Sequence, residues 1–388
     1  MHIITTLGPA GAETMLCRIA SQMDGARFEN EVVSITGILD LATSMQAIGV
    51  RVRSLDMKTS APNPMLVLRL AQWIRESKPD VIHTWMYHSN LLGSLASCMA
   101  GNVPVVWSIH HSALDPRIDK SRTILVNRAC AFLSRKFPAR IVCCSEASLR
   151  IHKKLSYAAE KLDFVPNGID LEQIKHDPAA RASVREELGI APDAILIGLA
   201  ARFHPLKGHL NFVRAAARLV NQIPDVHFLL CGIGVTWQNS QLVRWIDEAG
   251  IRGRCHLLGL RQDVPRLFSG MDIATTASLS EAFPVAIGEA MACETPCVVT
   301  NVGDSALIVG ETGLVVASGD PGALAEAWRK LIDAGPVVRR RLGMAARGRV
   351  KQFFALPAIV ERYQAIYSEL AAGRLQGAHS SNLSQISS

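Results

Sequence analysis

Two carboxylates lie close together in the stretch Ser278–Ala292, SLSEAFPVAIGEAMA. Because proline lacks an N–H and suits the first turn of a helix, Pro284 places Glu281 in the loop entering a helix and Glu289 inside it. The residues around Glu289 are small or apolar, and a buried carboxylate without partners is costly. Glu289 therefore needs cationic or hydroxyl groups beside it, and ribose hydroxyls would serve. The spacing is equally typical of a helix-start acid followed by one half of an internal ion pair.

Two cations stand in the segment Arg202–Gly208, RFHPLKG. An apolar strand is predicted over 194–200 and an amphipathic helix over 210–220, so this segment is the loop between them. Arg202 and Lys207 then lie just before a helix N-terminus, where backbone N–H groups and the helix dipole favour an anion. The arrangement suits a diphosphate, although two ordinary surface cations would give the same pattern.

In the first half, polar and aromatic residues follow two predicted strands at their carboxyl ends, where open α/β sheets bind ligands. After the strand 80–84 the chain continues WMYHSN, and the strand 103–109 runs directly into His110. A histidine in that position is a candidate for function, but packed or loop-bonding histidines are also common there. Near the N-terminus, Gly11 lies in a loop between a strand and a helix. That loop lacks the G-x-G-x-x-G dinucleotide fingerprint.

Strands and helices alternate along both halves of the 388-residue chain, which predicts an α/β protein with parallel, doubly wound sheets in two domains. We place the N-terminal domain at 1–175 and the second domain at 190–355. A C-terminal helix is predicted over 356–372, and the Ser- and Gly-containing tail 373–388 is predicted to be disordered.

The formal net charge is +7, and between residues 117 and 154 ten Lys and Arg face only Asp119 and Glu146. Such a patch attracts anionic lipid headgroups, although a solvated helix face would have the same composition. Nucleic acid is disfavoured because no aromatic residues are interleaved as a stacking platform. The start MHIITTLG does not resemble a signal peptide, no apolar run is long enough to span a membrane, and the nine cysteines form no C-x-x-C pair. These features predict a reduced, cytoplasmic protein.

A series of stretches, in order, resembles the family 4 glycosyltransferases, which are retaining sugar transferases. The stretches are Gly11-Ala12-Glu13, VIHTWMYHSNLLG at 81–93, SIHH at 108–111, VPNGID at 165–170, ARFHPLKGH at 201–209, the pair Glu281 and Glu289, EAMACETPCVVT at 289–300, and VGDSALIVGETGLVV at 302–316. Together they cover roughly residues 1–370. The resemblance implies the GT-B fold, in which two Rossmann-like domains face each other across a cleft and the last helix returns to the first domain.

The resemblance also implies roles for particular residues of the second domain. Arg202 and Lys207 would hold the diphosphate of the donor, and Glu289 would bind the ribose hydroxyls. Glu281 would contact the transferred sugar.

In the first domain, the resemblance implies that His110 lies beside the reacting sugar and that Gly11 lets the backbone approach the phosphates. The function implied is transfer of a hexose or N-acetylhexosamine from a nucleotide diphosphate sugar, with UDP expected, to a saccharide or lipid-linked saccharide. Its setting would be surface polysaccharide synthesis: exopolysaccharide, capsule or lipopolysaccharide.

No cofactor is expected, and because the chain has no Asp-x-Asp motif, no metal is implied either. Two alternatives stay open on this sequence. One is a nucleotide-sugar epimerase or hydrolase of the same architecture. The other is a protein that binds nucleotide sugars without catalysis, although keeping all four of the charged residues assigned to the donor argues against it.

Overall fold

The computed structural model describes residues 1–8, 11–37, 40–57, 64–112, 121–223 and 225–386. The chain divides into two compact units: unit 1 contains Met1–Gly168 and the segment from Leu356 onwards, and unit 2 contains Ile169–Ala355. The boundary predicted at 175 therefore moves to 168. The physical reason is that the Ile169 N–H donates a 2.7 Å hydrogen bond to the carbonyl of Phe354, which ties the chain after Gly168 to unit 2.

Unit 1 is built on a parallel sheet of seven strands in the order β3-β2-β1-β4-β5-β6-β7. The strands are β1 (His2–Ile4), β2 (Glu31–Ser34), β3 (Arg51–Ser54), β4 (Ile82–Trp85), β5 (Val105–Ile109), β6 (Arg140–Cys143) and β7 (Leu162–Phe164). The helices between them are α1 (Gly11–Gln22), α2 (Asp40–Ala47), α3 (Pro64–Ser77), α4 (Tyr87–Met99), α5 (Ser121–Leu133) and α6 (Glu146–Lys154). Both β4 and β5 are buried along their whole length, as expected for strands covered by helices on both faces. The order reverses between β1 and β4.

Unit 2 repeats this plan with a six-stranded parallel sheet in the order β10-β9-β8-β11-β12-β13. Its strands are β8 (Ile195–Ala200), β9 (Val226–Cys231), β10 (Cys255–Leu257), β11 (Ile273–Thr276), β12 (Cys297–Thr300) and β13 (Gly313–Val316). Its helices are α7 (Ala180–Leu188), α8 (His209–Val220), α9 (Ser240–Glu248), α10 (Val264–Gly270), α11 (Val285–Ala292), α12 (Ser305–Val309), α13 (Pro321–Asp333) and α14 (Gly335–Phe353). Here the order reverses between β8 and β11. The predicted parallel, doubly wound sheets are confirmed in both units.

The last helix, α15 (Leu356–Ile386), packs into the core of unit 1. Tyr363 and Tyr367 are buried, and the Tyr367 hydroxyl lies 2.5 Å from Nδ1 of His83 on β4. The helix continues to Ile386, through most of the tail that the sequence predicts to be disordered, and residues 387–388 lie outside the described part of the chain.

A buried carboxylate, Asp272 just before β11, connects the sheet of unit 2 to its helices. It accepts hydrogen bonds from Arg185 of α7 at 2.7 Å and from Arg339 of α14 at 3.4 Å. Arg181, also on α7, donates to the same carboxylate at 2.9 Å, and three cations around one buried carboxylate offset its desolvation. These arginines lie on α7 and α14, which are far apart in the sequence, so this network fixes both helices against the start of β11. Among the described residues, no helix combines the length and apolar character needed to cross a membrane.

Candidate functional site

In unit 2, the loops after two adjacent strands bring Lys207 and Glu281 together. Lys207 ends a short 3₁₀ helix, Pro205–Lys207, that follows β8, and Glu281 lies in the loop after β11. Lys207 Nζ is 2.5 Å from Glu281 Oε1, and Ser278 Oγ donates to the same oxygen at 2.8 Å. Since β8 and β11 are the neighbours at which the strand order reverses, this pair lies at the position where open α/β sheets bind ligands.

The two loops are held backbone against backbone at Gly208. Its φ is +67°, and a Cβ built there would lie 1.9 Å from the carbonyl oxygen of Ala277. The Leu279 N–H also donates to the carbonyl of Leu206 at 2.8 Å. Only glycine allows this approach, because any side chain at 208 would push the Lys207 loop away from the Glu281 loop.

Arg202 lies in the same loop as Lys207, directly after β8, and its side chain is exposed. The intervening His204 accepts a hydrogen bond from the Leu206 N–H at 3.3 Å, which starts the 3₁₀ turn. Helix α8 then begins at His209. The predicted order of cation, cation and helix N-terminus is therefore present, and the positive dipole end of α8 adds to the two side-chain charges.

Glu289 lies inside α11 and is half-buried, while Glu281 lies in the preceding loop, both as the sequence predicts. Pro284 is one position earlier than expected, at the N-cap of α11. Along this helix the neighbouring residues Ile287, Gly288, Ala290, Met291 and Ala292 are buried, which leaves Glu289 as the polar position on an otherwise apolar helix.

A third loop, after β12, packs against the backbone of the Glu281 loop. Residue types alone do not predict this contact. A Cβ at Gly303, whose φ is +55°, would lie 2.3 Å from the carbonyl oxygen of Glu281. The next residue, Asp304, donates its N–H to the carbonyl of Ala282 at 3.0 Å. The signal that could have located this contact is the Gly303-Asp304 pair, separated from the end of β12 by two residues.

In unit 1, His110 follows β5 and stacks on the indole of Trp85 at the end of β4, with ring centroids 5.2 Å apart and planes 22° apart. Burial, and secondarily the neighbouring His111, lower the pKa of His110 to about 3. The imidazole is therefore neutral at pH 7 and has one nitrogen able to accept a hydrogen bond or a proton.

Polar residues on β4 and at the start of α4 belong to the core instead. His83 is fully enclosed between Tyr367 and Ser108, whose Oγ lies 2.8 Å from Nε2 of His83. The Tyr87 hydroxyl lies 2.8 Å from Nε2 of buried His152. These contacts satisfy the polar atoms inside the unit, so they position the strand end that carries Trp85.

Gly11, the first residue of α1, is exposed, and a Cβ built there meets no atom within 4 Å. Packing of unit 1 therefore does not require glycine at this position. Residues 9 and 10 of the same loop lie outside the described part of the chain. Because β1 adjoins β4 where the strand order reverses, Gly11 follows a strand at the switch point of this sheet.

Comparisons with known proteins agree with this architecture. Residues 9–173 match a family model described as Glycosyltransferase Family 4, and residues 194–334 match one described as Glycosyl transferases group 1. The chain is 27% identical over 315 residues to UDP-Gal:alpha-D-GlcNAc-diphosphoundecaprenol alpha-1,3-galactosyltransferase of Escherichia coli, covering 79% of this chain and 80% of the relative. It is 30% identical over 296 residues to D-inositol 3-phosphate glycosyltransferase of Pseudarthrobacter chlorophenolicus, and the match covers 70% of this chain and 68% of that relative.

Among solved structures, Anabaena HepE in complex with UDP superimposes with a TM-score of 0.83 at 24% identity, over 95% of this chain and 99% of that one. HepE has also been solved with UDP-glucose, at a TM-score of 0.82. At this level of identity the likeness shows the fold.

Proposed function

The chain belongs to the family 4 glycosyltransferases, with their GT-B fold, and from that premise we propose which transfer it performs. The donor is a UDP-sugar carrying a hexose or N-acetylhexosamine. The acceptor is a saccharide or lipid-linked saccharide in surface polysaccharide synthesis. The anomeric configuration of the transferred sugar is retained.

The observation that carries this proposal is the pairing of Lys207 with Glu281 at the switch point of the unit 2 sheet. The pair presents a cation suited to a diphosphate beside a carboxylate suited to a sugar. Side-chain charges and the α8 N-terminus stabilise the negative charge that develops when the glycosyl–phosphate bond breaks. The UDP-Gal in the name of the E. coli relative supports the choice of UDP.

We assign to these residues the roles that the family resemblance implies. Arg202 and Lys207 hold the diphosphate, and Glu289 receives the ribose hydroxyls. Glu281 contacts the transferred sugar and, as an anion, stabilises the positive charge that develops on the sugar ring. Lys207 and Ser278 hold this carboxylate in one orientation before the donor arrives, because both contact its Oε1.

In unit 1, neutral His110 contacts the reacting sugar as a hydrogen-bonding group, and Gly11 allows the backbone close to the phosphates. The bond from the anomeric carbon to the diphosphate breaks with its electron pair leaving on the phosphate oxygen. The acceptor oxygen then bonds to that carbon from the same face, and its proton passes to the departing diphosphate. No divalent metal is needed in this scheme, since fixed cations supply the charge.

The acceptor proposal has support from the E. coli relative, whose name specifies a sugar linked to diphosphoundecaprenol. An acceptor of that kind resides in a membrane. We therefore extend the proposal to peripheral association with the cytoplasmic face of the membrane through the basic residues of 117–154. Arg117, Asp119 and Lys120 of that segment lie outside the described residues.

The first test is thermal unfolding with UDP, UDP-sugars and other nucleotide diphosphates, using the wild type and Lys207→Ala without added metal. A ligand at 100 times its Kd stabilises by about 2.7 kcal/mol, which raises Tm by roughly 5 to 10 °C in a unit of this size. We expect UDP to produce this shift in the wild type and in Lys351→Ala, whose lysine is exposed at the end of α14, but not in Lys207→Ala. Absence of any shift with nucleotides in the wild type would contradict the donor site.

The second test separates the proposed reaction from its alternatives by NMR of the anomeric proton during turnover. Retention and dependence on an added acceptor support the transfer. Free sugar released without an acceptor would indicate a hydrolase, and a donor that changes only its sugar stereochemistry would indicate an epimerase. A donor that stays intact with every acceptor would indicate a binding protein.

A further inference from the structure

Helix α5 of unit 1 presents large apolar side chains to solvent. Phe132 is 82% exposed and Leu125 is 67% exposed. They are seven positions apart, so they lie on one face of the helix, two turns from each other. The opposite face, which includes Asn127, Cys130 and Ala131, is buried in the unit. The outer face of α5 therefore carries two aligned apolar side chains and not a single isolated one.

Cations accompany these two side chains. Arg122 and Arg128 are exposed on α5, three or four positions from Leu125 or Phe132, and exposed Arg135 lies in the turn that follows α5. Within the described part of the chain, Arg128 and Arg135 form no ion pair with a carboxylate. Their charges are consequently available to an anionic partner.

The surface continues onto the end of α6. Phe132 and Leu155, which is 44% exposed, line one shallow hollow together with Arg128 and Arg135. Lys153 and Lys154 are exposed beside Leu155. We call the set Arg122, Leu125, Arg128, Phe132, Arg135, Lys153, Lys154 and Leu155 the α5 face.

Apolar side chains flanked by long cations match the boundary between headgroups and acyl chains of an anionic bilayer. Arginine and lysine reach the lipid phosphates with their charged ends, while Phe and Leu enter the apolar layer. An acidic protein surface would complement the charges as well. It would not by itself explain two apolar side chains more than half exposed in the middle of a cationic face.

We propose that the α5 face is the surface by which this protein docks on an anionic lipid bilayer, with Phe132, Leu125 and Leu155 inserted at the headgroup boundary. The proposal rests on the proposed function in one respect: it gives a binding mode to the association expected of an enzyme with a lipid-linked acceptor. It goes further by requiring insertion as well as electrostatic attraction.

The test is co-sedimentation of the full-length protein with vesicles of phosphatidylcholine alone or mixed in equal parts with phosphatidylglycerol. We expect binding to the anionic vesicles only. The double variant Arg128→Gln/Arg135→Gln should lose on the order of tenfold in affinity or more, since each cation near an anionic surface contributes about fivefold. Leu125→Ser/Phe132→Ser should also lose at least about tenfold because the inserted area disappears.

Helix α14 of unit 2 offers a matched control. Val337 and Met344 are 81% and 56% exposed, also seven positions apart, with exposed Arg340 and Arg341 between them. Val337→Ser/Met344→Ser and Arg340→Gln/Arg341→Gln remove the same groups from another face. Binding reduced by these controls as strongly as by the α5 variants would overturn the proposal, because the affinity would then follow overall charge and hydrophobicity.

Insertion has its own readout. Phe132→Trp places an indole at the boundary between headgroups and acyl chains. Vesicles that contain brominated lipid should therefore quench a larger fraction of the tryptophan fluorescence in this variant than in the wild type, which has only its native tryptophans. Equal quenching in both would overturn insertion. Binding to neutral and anionic vesicles alike, or to neither, would overturn the docking surface and leave an acidic protein as the partner to seek.

The UDP-induced Tm shift, measured for every variant without vesicles, keeps the two proposals apart. A wild-type protein that shows the UDP-induced Tm shift but does not bind anionic vesicles would contradict the docking surface alone. A wild-type protein that binds anionic vesicles but shows no UDP-induced Tm shift would contradict the donor site alone.

Discussion

Replacing Gly208 with alanine should disrupt the donor loops of unit 2 through a single methyl group. The left-handed backbone at φ +67° costs a non-glycine residue about 1 to 2 kcal/mol. The methyl carbon would in addition lie 1.9 Å from the Ala277 carbonyl oxygen, so one loop must move, at a further cost of about 1 to 3 kcal/mol. That movement separates Lys207 from Glu281, whose 2.5 Å contact depends on the two loops touching.

Gly189 supplies the control for the backbone term. It caps α7 with φ +63°, and a Cβ there meets nothing within 4 Å. Gly189→Ala should therefore lose only the first contribution and keep its affinity for UDP. Urea denaturation should show a greater loss of stability in Gly208→Ala, and titration with UDP should show affinity at least about tenfold weaker in that variant alone. Equal stability of the two variants with unchanged UDP affinity would refute the overlap argument.

Three further predictions concern residues of both units. Trp85→Leu removes the indole on which His110 stacks and should lower kcat with little change in the donor KM, whereas Trp85→Phe keeps a ring face and should restore most of it; equal kcat in both variants would refute positioning by stacking. Gly11→Ala should leave Tm unchanged, because the methyl has open space, yet weaken UDP binding in titrations, and unchanged affinity would remove Gly11 from the donor site. Burial lowers the pKa of His152 and of His209 to about 4, against about 6.5 in an unfolded chain, so below pH 6.5 the unfolded chain takes up protons that the folded one does not. Each group should then remove about 1.4 kcal/mol of stability per pH unit between pH 6.5 and 4, and denaturation midpoints that stay level from pH 7 to 5 would contradict this.

The sequence predicts the local features of this protein well, because those depend on short-range patterns. Strand β8, for example, lies within the apolar strand predicted over 194–200, and Pro284 correctly separates the loop of Glu281 from the helix of Glu289. Each depends on residues within one or two turns of the chain. Alternation of such elements then specifies parallel sheets, because parallel strands need crossover connections.

Contacts between residues that are far apart in the sequence cannot be predicted from such short-range patterns. The pairing of Lys207 with Glu281 joins residues 74 positions apart, and the Arg185–Asp272 bond joins residues 87 positions apart. Neither has a local signature. The boundary after Gly168 was missed for a similar reason, since it is set by a hydrogen bond from Ile169 to Phe354, which lies at the other end of the unit 2 sequence. Gly208 stands out only once the carbonyl that it touches is known.

The placement of α15 in unit 1 has a consequence for how this protein is made. The ribosome completes every strand of the unit 1 sheet before it begins unit 2, but side chains of the same core, including Tyr363 and Tyr367, emerge only after unit 2. At about 5 to 20 residues per second, the intervening residues take on the order of ten to forty seconds to synthesise. During that interval we expect the nascent first unit to expose apolar surface around Trp85 while the second folds, so a message ending prematurely at codon 355 should yield a chain whose early half is the protease-sensitive one.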